Sequence, residues 1–169
     1  MFKEVRPKGL ELKEDYISIA KEQELIAIID SLPWLNDLKR RVQHYGFKYD
    51  YKVRGNIEYL GAVPEFLKEI DVGFPFNQVI INEYLPGQGI APHIDLGVFG
   101  SMIASLSLGS SCVMEFTKGS STIPLFLPPC SLLTMQDESR YYWKHSIPAR
   151  KSNVKQKRVS ITFRERTSS

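Results

Sequence analysis

Hydrophobic and polar positions alternate with a period of two along much of the second half of the chain. Side chains two positions apart on a strand share a face, so this pattern predicts short strands. Clusters of Gly, Pro and Ser mark the turns between them. The predicted strands are two segments within residues 80–95, followed by residues 102–108, 112–117, 123–127, 131–135 and 159–164. This spacing is typical of a sandwich or barrel, and we expect a mainly β jelly-roll with flanking helices.

The first 75 residues carry a less regular pattern. Residues 14–19 are a candidate strand, whereas residues 21–31 have apolar positions at helical spacing and end before Pro33. They therefore predict an amphipathic helix that packs on the core. Residues 64–70 predict a second, short helix, because Pro64 is well placed in the first turn of a helix.

A short motif at the end of the second predicted strand offers metal ligands. His93 and Asp95 are two positions apart, which places the imidazole and the carboxylate side by side. A His-x-Asp pair alone is more often a structural hydrogen bond, so a third ligand is needed. The candidates are the other two histidines, His44 and His145. Two His and one carboxylate beside open positions form the facial triad of non-haem Fe(II) oxygenases.

The last predicted strand has two different faces. One is apolar, with Val159, Ile161 and Phe163, and the other is polar, with Arg158, Ser160, Thr162 and Arg164. A polar face in contact with water would explain the pattern for a strand in isolation. Arginine, however, also binds carboxylates through two parallel hydrogen bonds, as the dicarboxylate cosubstrate of a facial-triad oxygenase requires.

The two arginines of this strand cannot have the same role. Their Cα atoms would lie roughly 20 Å apart, too far for both to bind one small molecule symmetrically. We predict that Arg158 binds the distal carboxylate with Ser160 nearby. Arg164 is predicted to lie at the metal end, near Asp95 or near the metal-bound carboxylate of the cosubstrate. The facing strand offers an amide and a phenol to the same ligand, from Asn82 and Tyr84.

Composition sets broad limits on the protein. A chain of 169 residues that is 43% hydrophobic fits one domain with its own core. The formal charge of +3 is compatible with a polyanionic partner without requiring one. Cys112 and Cys130 lack the spacing of a zinc site, which favours two reduced, buried thiols. We find neither a signal peptide nor a membrane span, so we expect a soluble protein of the cytoplasm or nucleus.

A segment rich in aromatic and basic residues runs from residue 34 to residue 61. Such a mixture is typical of a groove that follows phosphates and stacks bases. An ordinary polar β-hairpin with solvated charges and half-buried tyrosines explains the same residues, and from this segment alone it is the preferred interpretation. The candidate substrate contacts are Tyr45, Tyr49, Tyr51, Lys52 and Arg54, together with cations of the loop at residues 150–157.

These motifs together resemble the signature of the AlkB family of Fe(II)/2-oxoglutarate dioxygenases. The resemblance covers about residues 40–165 and is strongest to the branch that hydroxylates a modified wobble uridine in tRNA. It implies iron(II) bound by His93, Asp95 and His145. It also implies 2-oxoglutarate held by Arg158, Tyr84 and Asn82, dioxygen as oxidant, and a nucleobase substrate, RNA being favoured over DNA.

The resemblance also implies the layout of the chain. We expect a single AlkB-like domain over residues 1–169, monomeric, with helices and a substrate lid in residues 1–75 and the jelly-roll core in residues 76–166. Beside this core, the aromatic and basic segment is interpreted as the lid.

Three alternatives remain open. His₂Asp also binds zinc in hydrolases, but the nearest candidate general bases, Glu83 and Glu115, are predicted to point away from the metal. A binding module that has lost its chemistry would not need the intact ligands and arginines. An oxygenase of the same family could also act on a protein or a small molecule.

Overall fold

The computed structural model describes residues 5–49 and 57–167, and the described part of the chain is mainly β. They are β1 (Leu10–Lys13), α1 (Ile19–Ser31), β2 (Val42–Tyr45), β3 (Phe47–Tyr49), β4 (Ile57–Tyr59), α2 (Glu65–Lys68), β5 (Gln78–Tyr84), β6 (Ile90–His93), β7 (Phe99–Gly109), β8 (Cys112–Lys118), β9 (Ser121–Leu127), β10 (Leu132–Met135), α3 (Asp137–Tyr141), β11 (Lys144–Ile147) and β12 (Arg158–Arg166).

Two antiparallel sheets face each other across a common core. The larger sheet has six strands in the order β1-β10-β7-β12-β5-β2, and the smaller has four in the order β6-β11-β8-β9. Strands β3 and β4 form a separate hairpin. Met114 and Phe116 of the smaller sheet pack against Ile103 and Leu133 of the larger one. The predicted jelly-roll is confirmed.

Alternation along β12 divides its side chains between two cores. Val159, Ile161 and Phe163 are buried on the face of the larger sheet that is turned away from the smaller sheet. Helix α1 packs on this face, and we call the second cluster of buried residues the outer core. The alternate side chains face the smaller sheet, and they are buried too: Arg158 is 0% exposed and Arg164 is 8% exposed. The polar face of this strand therefore does not contact water. It forms a wall of the space between the sheets.

The helix predicted at residues 21–31 begins two residues earlier, at Ile19. Ser18 caps it, because its side chain accepts a hydrogen bond from the backbone N–H of Lys21. The strand predicted at residues 14–19 is wrong. Asp15 has a positive φ of 51° in a turn, and the extended segment precedes it as β1.

The first 75 residues supply more than helices and a lid. Strand β1 pairs with β10, and β2 pairs with β5, so both edges of the six-stranded sheet come from this part of the chain. The core consequently does not begin at residue 76. The short helix predicted at residues 64–70 is present as α2, with Pro64 as its N-cap.

Cys112 and Cys130 are both free and buried, as predicted. Within the described ranges, no helix combines the length and the apolar character needed to cross a membrane.

Candidate active site

The proposed metal ligands meet at one end of the four-stranded sheet. Antiparallel pairing of β6 with β11 places His93 opposite His145, and Asp95 follows two residues after β6 ends. Asp95 Oδ1 lies 3.3 Å from His93 Nε2 and 3.4 Å from His145 Nε2. One ligand atom from each residue lies within 4.8 Å of the other two. Two imidazole nitrogens and one carboxylate oxygen thus converge on a point, as a facial triad requires.

His93 is held in the tautomer that a metal ligand needs. Its Nδ1–H donates to the backbone carbonyl of Ala91 over 2.8 Å, which leaves the Nε2 lone pair toward Asp95. Hydrogen bonds from the non-ligating nitrogen fix ring orientation in metal sites. Burial lowers the pKa of His93, but Asp95 and the Ala91 carbonyl outweigh it, so the pKa is raised above its usual value.

Asp95 uses its two oxygens for different partners. Oδ1 faces the histidines, whereas Oδ2 accepts a hydrogen bond from Arg164 Nη1 over 2.8 Å. Arg164 is itself fixed, since its Nε donates to Gln78 Oε1 over 2.8 Å and its Cζ lies 3.9 Å from the centre of the Phe99 ring. Burial would raise the pKa of the Asp95 carboxyl, but Arg164 and the two histidines hold it well below its usual range.

His44, the other candidate ligand, lies on β2 and is not part of this cluster. Its Nδ1 is buried and has no hydrogen-bond partner among the residues described. Burial lowers the pKa of His44 to about 4, with smaller contributions from the charges of Lys48 and Arg164. His44 is therefore a neutral, half-buried histidine at pH 7, and His145 remains the third candidate ligand.

Arg158 has the properties expected of a carboxylate-binding residue. It is fully buried, its Nη2 donates to Ser107 Oγ over 2.9 Å, and its Cζ lies 5.4 Å from the centre of the Tyr84 ring. Its Nε and Nη1 have no hydrogen-bond partner in the described part of the chain. Unsatisfied buried donors are costly unless a ligand supplies acceptors. The residues present therefore fit a 2-oxoglutarate carboxylate.

An inner cavity extends from the triad along the inner face of the six-stranded sheet. Ser160 Oγ forms a hydrogen bond of 2.9 Å with Ser105 Oγ, and Asn82 Oδ1 accepts from Arg40 Nε over 2.9 Å. Four of the five residues predicted to bind the cosubstrate line this cavity, while the fifth, Arg158, lies beside them under the Tyr84 ring. The four are Asn82, Tyr84, Ser160 and Arg164.

An outer cavity of about 400 Å³ opens on the other side of the triad. Both cavities share a wall made of Arg40, Ile90, His93, Asp95 and Arg164. The remaining wall of the outer cavity is mostly apolar and is formed by Tyr49, Ala91, Pro92, Ile94, Leu96 and Phe99. A molecule in the outer cavity would therefore contact the metal ligands directly.

The predicted substrate contacts fall in different places. Tyr49 lies on β3 and lines the outer cavity. Tyr45 does not, because its ring packs against Phe66 in the outer core and its hydroxyl donates to Gln43. Its assignment to the lid is wrong, since Gly46, with a φ of 77°, ends β2 and breaks the alternation. Three further candidates lie outside the described residues, namely Tyr51, Lys52 and Arg54.

The loop at residues 150–157 does not form part of either cavity wall. Arg150 Nη2 lies 3.0 Å from Glu115 Oε1, and Lys157 Nζ lies 2.7 Å from Asp30 Oδ2. These cations are paired with carboxylates elsewhere on the surface. The predicted contribution of this loop to substrate binding is not supported by its position.

Arg40 was not identified from the sequence as a site residue, yet it lines both cavities. It lies in an irregular segment before β2, where no alternation indicates which way a side chain points. The neighbouring Arg41 points elsewhere and binds Glu83 through two hydrogen bonds of 2.9 and 2.8 Å. The signal in the sequence that could have indicated Arg40 is Asn82 on β5, because the side-chain oxygen of Asn82 needs a hydrogen-bond donor.

Among the residues that the structure describes, no carboxylate is placed to act as a hydrolytic general base. Glu83 is bound to Arg41, and the hydrogen bond from Arg41 lowers the pKa of Glu83. Glu115 pairs with Arg150. Among the described residues, Asp95 is the one acidic residue that lines either cavity, and it belongs to the triad. A zinc hydrolase is therefore poorly supported by this site.

Comparisons with known proteins agree with this geometry. The sequence model of the "2OG-Fe(II) oxygenase superfamily" matches residues 19–164. The chain is 35% identical to the "Alkylated DNA repair protein ALKBH8 homolog" of Arabidopsis thaliana, over 96% of this chain and 59% of that protein. It is 38% identical to the "tRNA (carboxymethyluridine(34)-5-O)-methyltransferase alkbh8" of Xenopus tropicalis, over 88% of this chain and 26% of that protein.

The fold has a solved counterpart. The structure described as OsALKBH1 superposes with a TM-score of 0.74 at 14% sequence identity, covering 96% of this chain and 99% of that chain. At that identity the likeness concerns the fold. The sequence matches place the chain in the 2OG-Fe(II) oxygenase superfamily, as a member of the AlkB family near the ALKBH8 proteins and a dioxygenase that uses iron(II), 2-oxoglutarate and dioxygen.

Proposed function

We propose that this dioxygenase oxidises a modified or alkylated nucleobase, and that its substrate is RNA, with a modified tRNA uridine favoured, rather than DNA. The observation that carries the proposal is the outer cavity, which opens at the triad between Tyr49 and the apolar residues of β6. Its volume is within the range of small-ligand sites, and a base that leaves its stack could enter it.

The walls of the outer cavity suit the two faces and the edge of a base. Tyr49 and Phe99 provide aromatic surface, and Ile94 and Leu96 are both partly exposed at this position. Stacking on aromatic side chains is tolerant of base identity. Arg40 supplies hydrogen-bond donors for the edge of a base. A peptide substrate would gain less from a site of this kind.

The names of the relatives support a nucleic-acid substrate without deciding its type. The Arabidopsis protein is named for repair of alkylated DNA, and the Xenopus protein for a tRNA uridine. This chain spans 59% of the first and 26% of the second, so the activity of the whole relatives is a proposal here. We favour RNA because the motifs around the triad resemble the wobble-uridine branch most.

The residues of this chain have separate roles in such a reaction. His93, His145 and Asp95 would hold iron(II), and Arg164 keeps Asp95 Oδ2 occupied so that Oδ1 faces the metal position. Arg158 would bind the distal carboxylate of 2-oxoglutarate with the donors that lack protein partners. When bound, iron(II) and 2-oxoglutarate with dioxygen supply oxidation of a C–H bond to C–OH, with release of succinate and carbon dioxide.

The protein contributes binding, orientation and exclusion of water. The low exposure of Asp95 and His145 keeps the reacting region dry, which strengthens the ion pair between Arg164 and Asp95. Hydroxylation of a stable carbon would end at the alcohol. Hydroxylation of a methyl group on nitrogen would instead release formaldehyde, so either hydroxylation or demethylation follows from the same site.

The proposal is tested by incubating the protein with iron(II), 2-oxoglutarate and single-stranded substrates. These are anticodon stem-loops with a modified uridine and DNA oligomers with a methylated base. Nucleoside mass spectrometry should detect a hydroxylated or demethylated nucleoside from RNA at a higher rate than from DNA, in step with succinate formation. A His93→Ala variant is the control. Succinate that forms without oxidation of either nucleic acid would direct attention to a protein or metabolite substrate.

A further inference from the structure

Arg40 occupies the junction between the inner and outer cavities. Its Nε donates to Asn82 Oδ1 over 2.9 Å, and its Cζ lies 6.0 Å from the centre of the Tyr84 ring. Both of these partners lie on β5 and line the inner cavity. Arg40 is thus fixed to the cosubstrate side of the site while its side chain also lines the outer cavity.

The bond from Arg40 determines how Asn82 presents its amide. A guanidinium has donors and no acceptor, so the group it meets on Asn82 must be the carbonyl oxygen. The amide NH₂ of Asn82 is then left to donate into the inner cavity. Without Arg40, the amide could turn over and present its oxygen to the carboxylate of 2-oxoglutarate, which would be repulsive.

The segment that carries Arg40 is tied to the turn between β5 and β6. Gln88 Nε2 in that turn donates to the backbone carbonyl of Lys39 over 3.1 Å, while Gln88 Oε1 accepts from the N–H of Leu85 over 2.8 Å. Gly89 allows this turn to lie against β11, since a Cβ there would be 2.1 Å from the carbonyl oxygen of Ile147. The position of Arg40 is therefore set by backbone contacts as well as by Asn82.

In the described part of the chain, the terminal nitrogens of Arg40 are the cationic donors available to a ligand in the outer cavity. Arg164 also lines this cavity, but its guanidinium is bound to Asp95 and Gln78. Within residues 5–49 and 57–167, no carboxylate lies within ion-pair distance of Arg40, and Nη1 and Nη2 have no hydrogen-bond partner. Most of the remaining wall is apolar and offers no hydrogen-bond donor from a side chain, so an oxygen acceptor on a ligand at this point would be met by Arg40.

We propose that Arg40 is a specificity-determining residue that binds an oxygen acceptor, a carboxylate or carbonyl, on the substituent of the base that is oxidised, and that it also positions Asn82. This inference rests on the proposed function. Arg40 and the triad share a wall, so Arg40 meets the part of a substrate inserted nearest the reacting carbon. A base whose substituent carries such an oxygen is accordingly preferred over one with a bare methyl group.

The test measures binding of two RNA stem-loops that differ only in one uridine, which carries either a 5-carboxymethyl or a 5-methyl group. Fluorescence anisotropy is recorded without oxygen, with iron(II) and 2-oxoglutarate present, for wild type, Arg40→Gln and Lys39→Gln. Lys39 is exposed, so its variant removes the same charge one residue away without touching either cavity. Thermal unfolding and 2-oxoglutarate titration of each variant accompany the binding curves.

Arg40→Gln is expected to weaken binding of the carboxymethyl loop by roughly 10- to 100-fold, the factor for a hydrogen bond to a charged group, and to change the methyl loop by less than about threefold. It should also raise the 2-oxoglutarate dissociation constant, whereas Lys39→Gln should do neither. Equal weakening of both loops, or the same result for Lys39→Gln, would overturn the assignment. If binding of the methyl loop depends less on salt in Arg40→Gln than in wild type, Arg40 contacts a phosphate. This result would also overturn the assignment.

The outcome also separates this inference from the proposed function. Wild-type protein that binds and oxidises RNA, with no loop preference that depends on Arg40, contradicts only the role of Arg40. Wild-type protein that neither binds nor oxidises any of the RNA or DNA probes contradicts the proposed function, and the role of Arg40 in substrate recognition fails with it.

Discussion

Arg164 Nη1 lies 2.8 Å from Asp95 Oδ2, so an arginine of β12 and a predicted metal ligand beyond β6 form a buried ion pair. Arg164 belongs to the six-stranded sheet and Asp95 follows β6 of the four-stranded sheet, so the pair links the two sheets. Arg164 was expected near Asp95 from the alternation of the last strand. The contact leaves Asp95 Oδ1 to the histidines and makes the orientation of the carboxylate depend on a residue that need not touch the metal.

Replacing Arg164 by Leu should therefore weaken metal binding. Loss of a group that orients a ligand typically lowers metal affinity by roughly 10- to 100-fold. The measurement is an anaerobic titration with iron(II), followed by the charge-transfer absorption of the complex with 2-oxoglutarate. Arg150→Leu is the matched control, since Arg150 pairs with Glu115 on the surface. Unchanged iron affinity in Arg164→Leu would show that Asp95 is oriented without it.

His145→Ala should lose iron, whereas His44→Ala should retain it. His145 Nε2 lies 3.4 Å from Asp95 Oδ1, while His44 is outside the group of ligand atoms. Iron content after anaerobic loading and desalting, measured by mass spectrometry, distinguishes the two variants. Normal iron content in His145→Ala together with loss in His44→Ala would reverse the assignment of the third ligand.

Arg158→Ala should raise the dissociation constant of 2-oxoglutarate by orders of magnitude. Removal of one partner of a buried charge pair costs several kcal/mol, roughly 3–5 kcal/mol in typical cases. Arg158→Lys should bind 2-oxoglutarate more weakly than wild type, because an ammonium cannot replace the planar pair of donors of the guanidinium. Calorimetric titration with 2-oxoglutarate, with manganese(II) in place of iron(II), gives the constants directly. Wild-type affinity in Arg158→Ala would remove Arg158 from the cosubstrate site.

The limits of sequence-based prediction are visible at particular residues. Alternation correctly separated Arg158 and Ser160 from Val159 and Ile161, because β12 is a central strand of regular geometry. The same reasoning fails for Tyr45. Alternation groups it with Phe47 and Tyr49, but the chain turns at Gly46, where a Cβ would lie 1.9 Å from the carbonyl oxygen of Asn77.

The local pattern of hydrophobic and polar positions does not predict contacts between segments that are distant in the sequence. His93 and His145 are opposite each other only because β6 and β11 pair in one register, and a shift of one residue would turn His145 to the other face. The position of Arg40 depends on side chains of Asn82 and Gln88, more than forty residues further along the chain. No periodicity within residues 34–41 encodes either partner.

Stability should depend on pH through His44. Burial lowers the pKa of His44 to about 4 in the folded protein, compared with 6.5 in the unfolded chain. Between these values the unfolded chain binds a proton that the folded protein does not, so stability is fully present above pH 6.5 and is lost as the pH falls toward 4. The loss is at most about 3 kcal/mol.

The check is urea unfolding of wild type and His44→Leu across pH 4 to 7.5. The wild-type free energy of unfolding should fall relative to that of the variant as the pH decreases, because only the wild type carries this titration. Parallel curves for the two proteins would show that His44 is protonated equally in both states and would contradict its burial as a neutral ring.

The last prediction concerns Tyr49, the substrate contact that remains from the described part of the lid. Its ring lines the outer cavity, so Tyr49→Ala should weaken binding of an anticodon stem-loop by roughly 1–3 kcal/mol, the value for loss of one stacking ring. Stacking releases no counterions, so the dependence of binding on salt should stay as in wild type. Tyr142→Ala is the control, because Tyr142 is 64% exposed and lines neither cavity.

A double variant of the lid should behave in the opposite way. If Lys52 and Arg54 bind phosphates, Lys52→Ala/Arg54→Ala should reduce the salt slope by about 0.7 for each phosphate that is no longer neutralised on a single strand, while the stacking contribution of Tyr49 stays intact. Fluorescence anisotropy at salt concentrations from 50 to about 200 mM measures both effects. Binding that is independent of salt in wild type, and unchanged in Tyr49→Ala, would contradict a nucleic-acid substrate, because a base in the outer cavity must bring its phosphates to the lid and its ring to Tyr49.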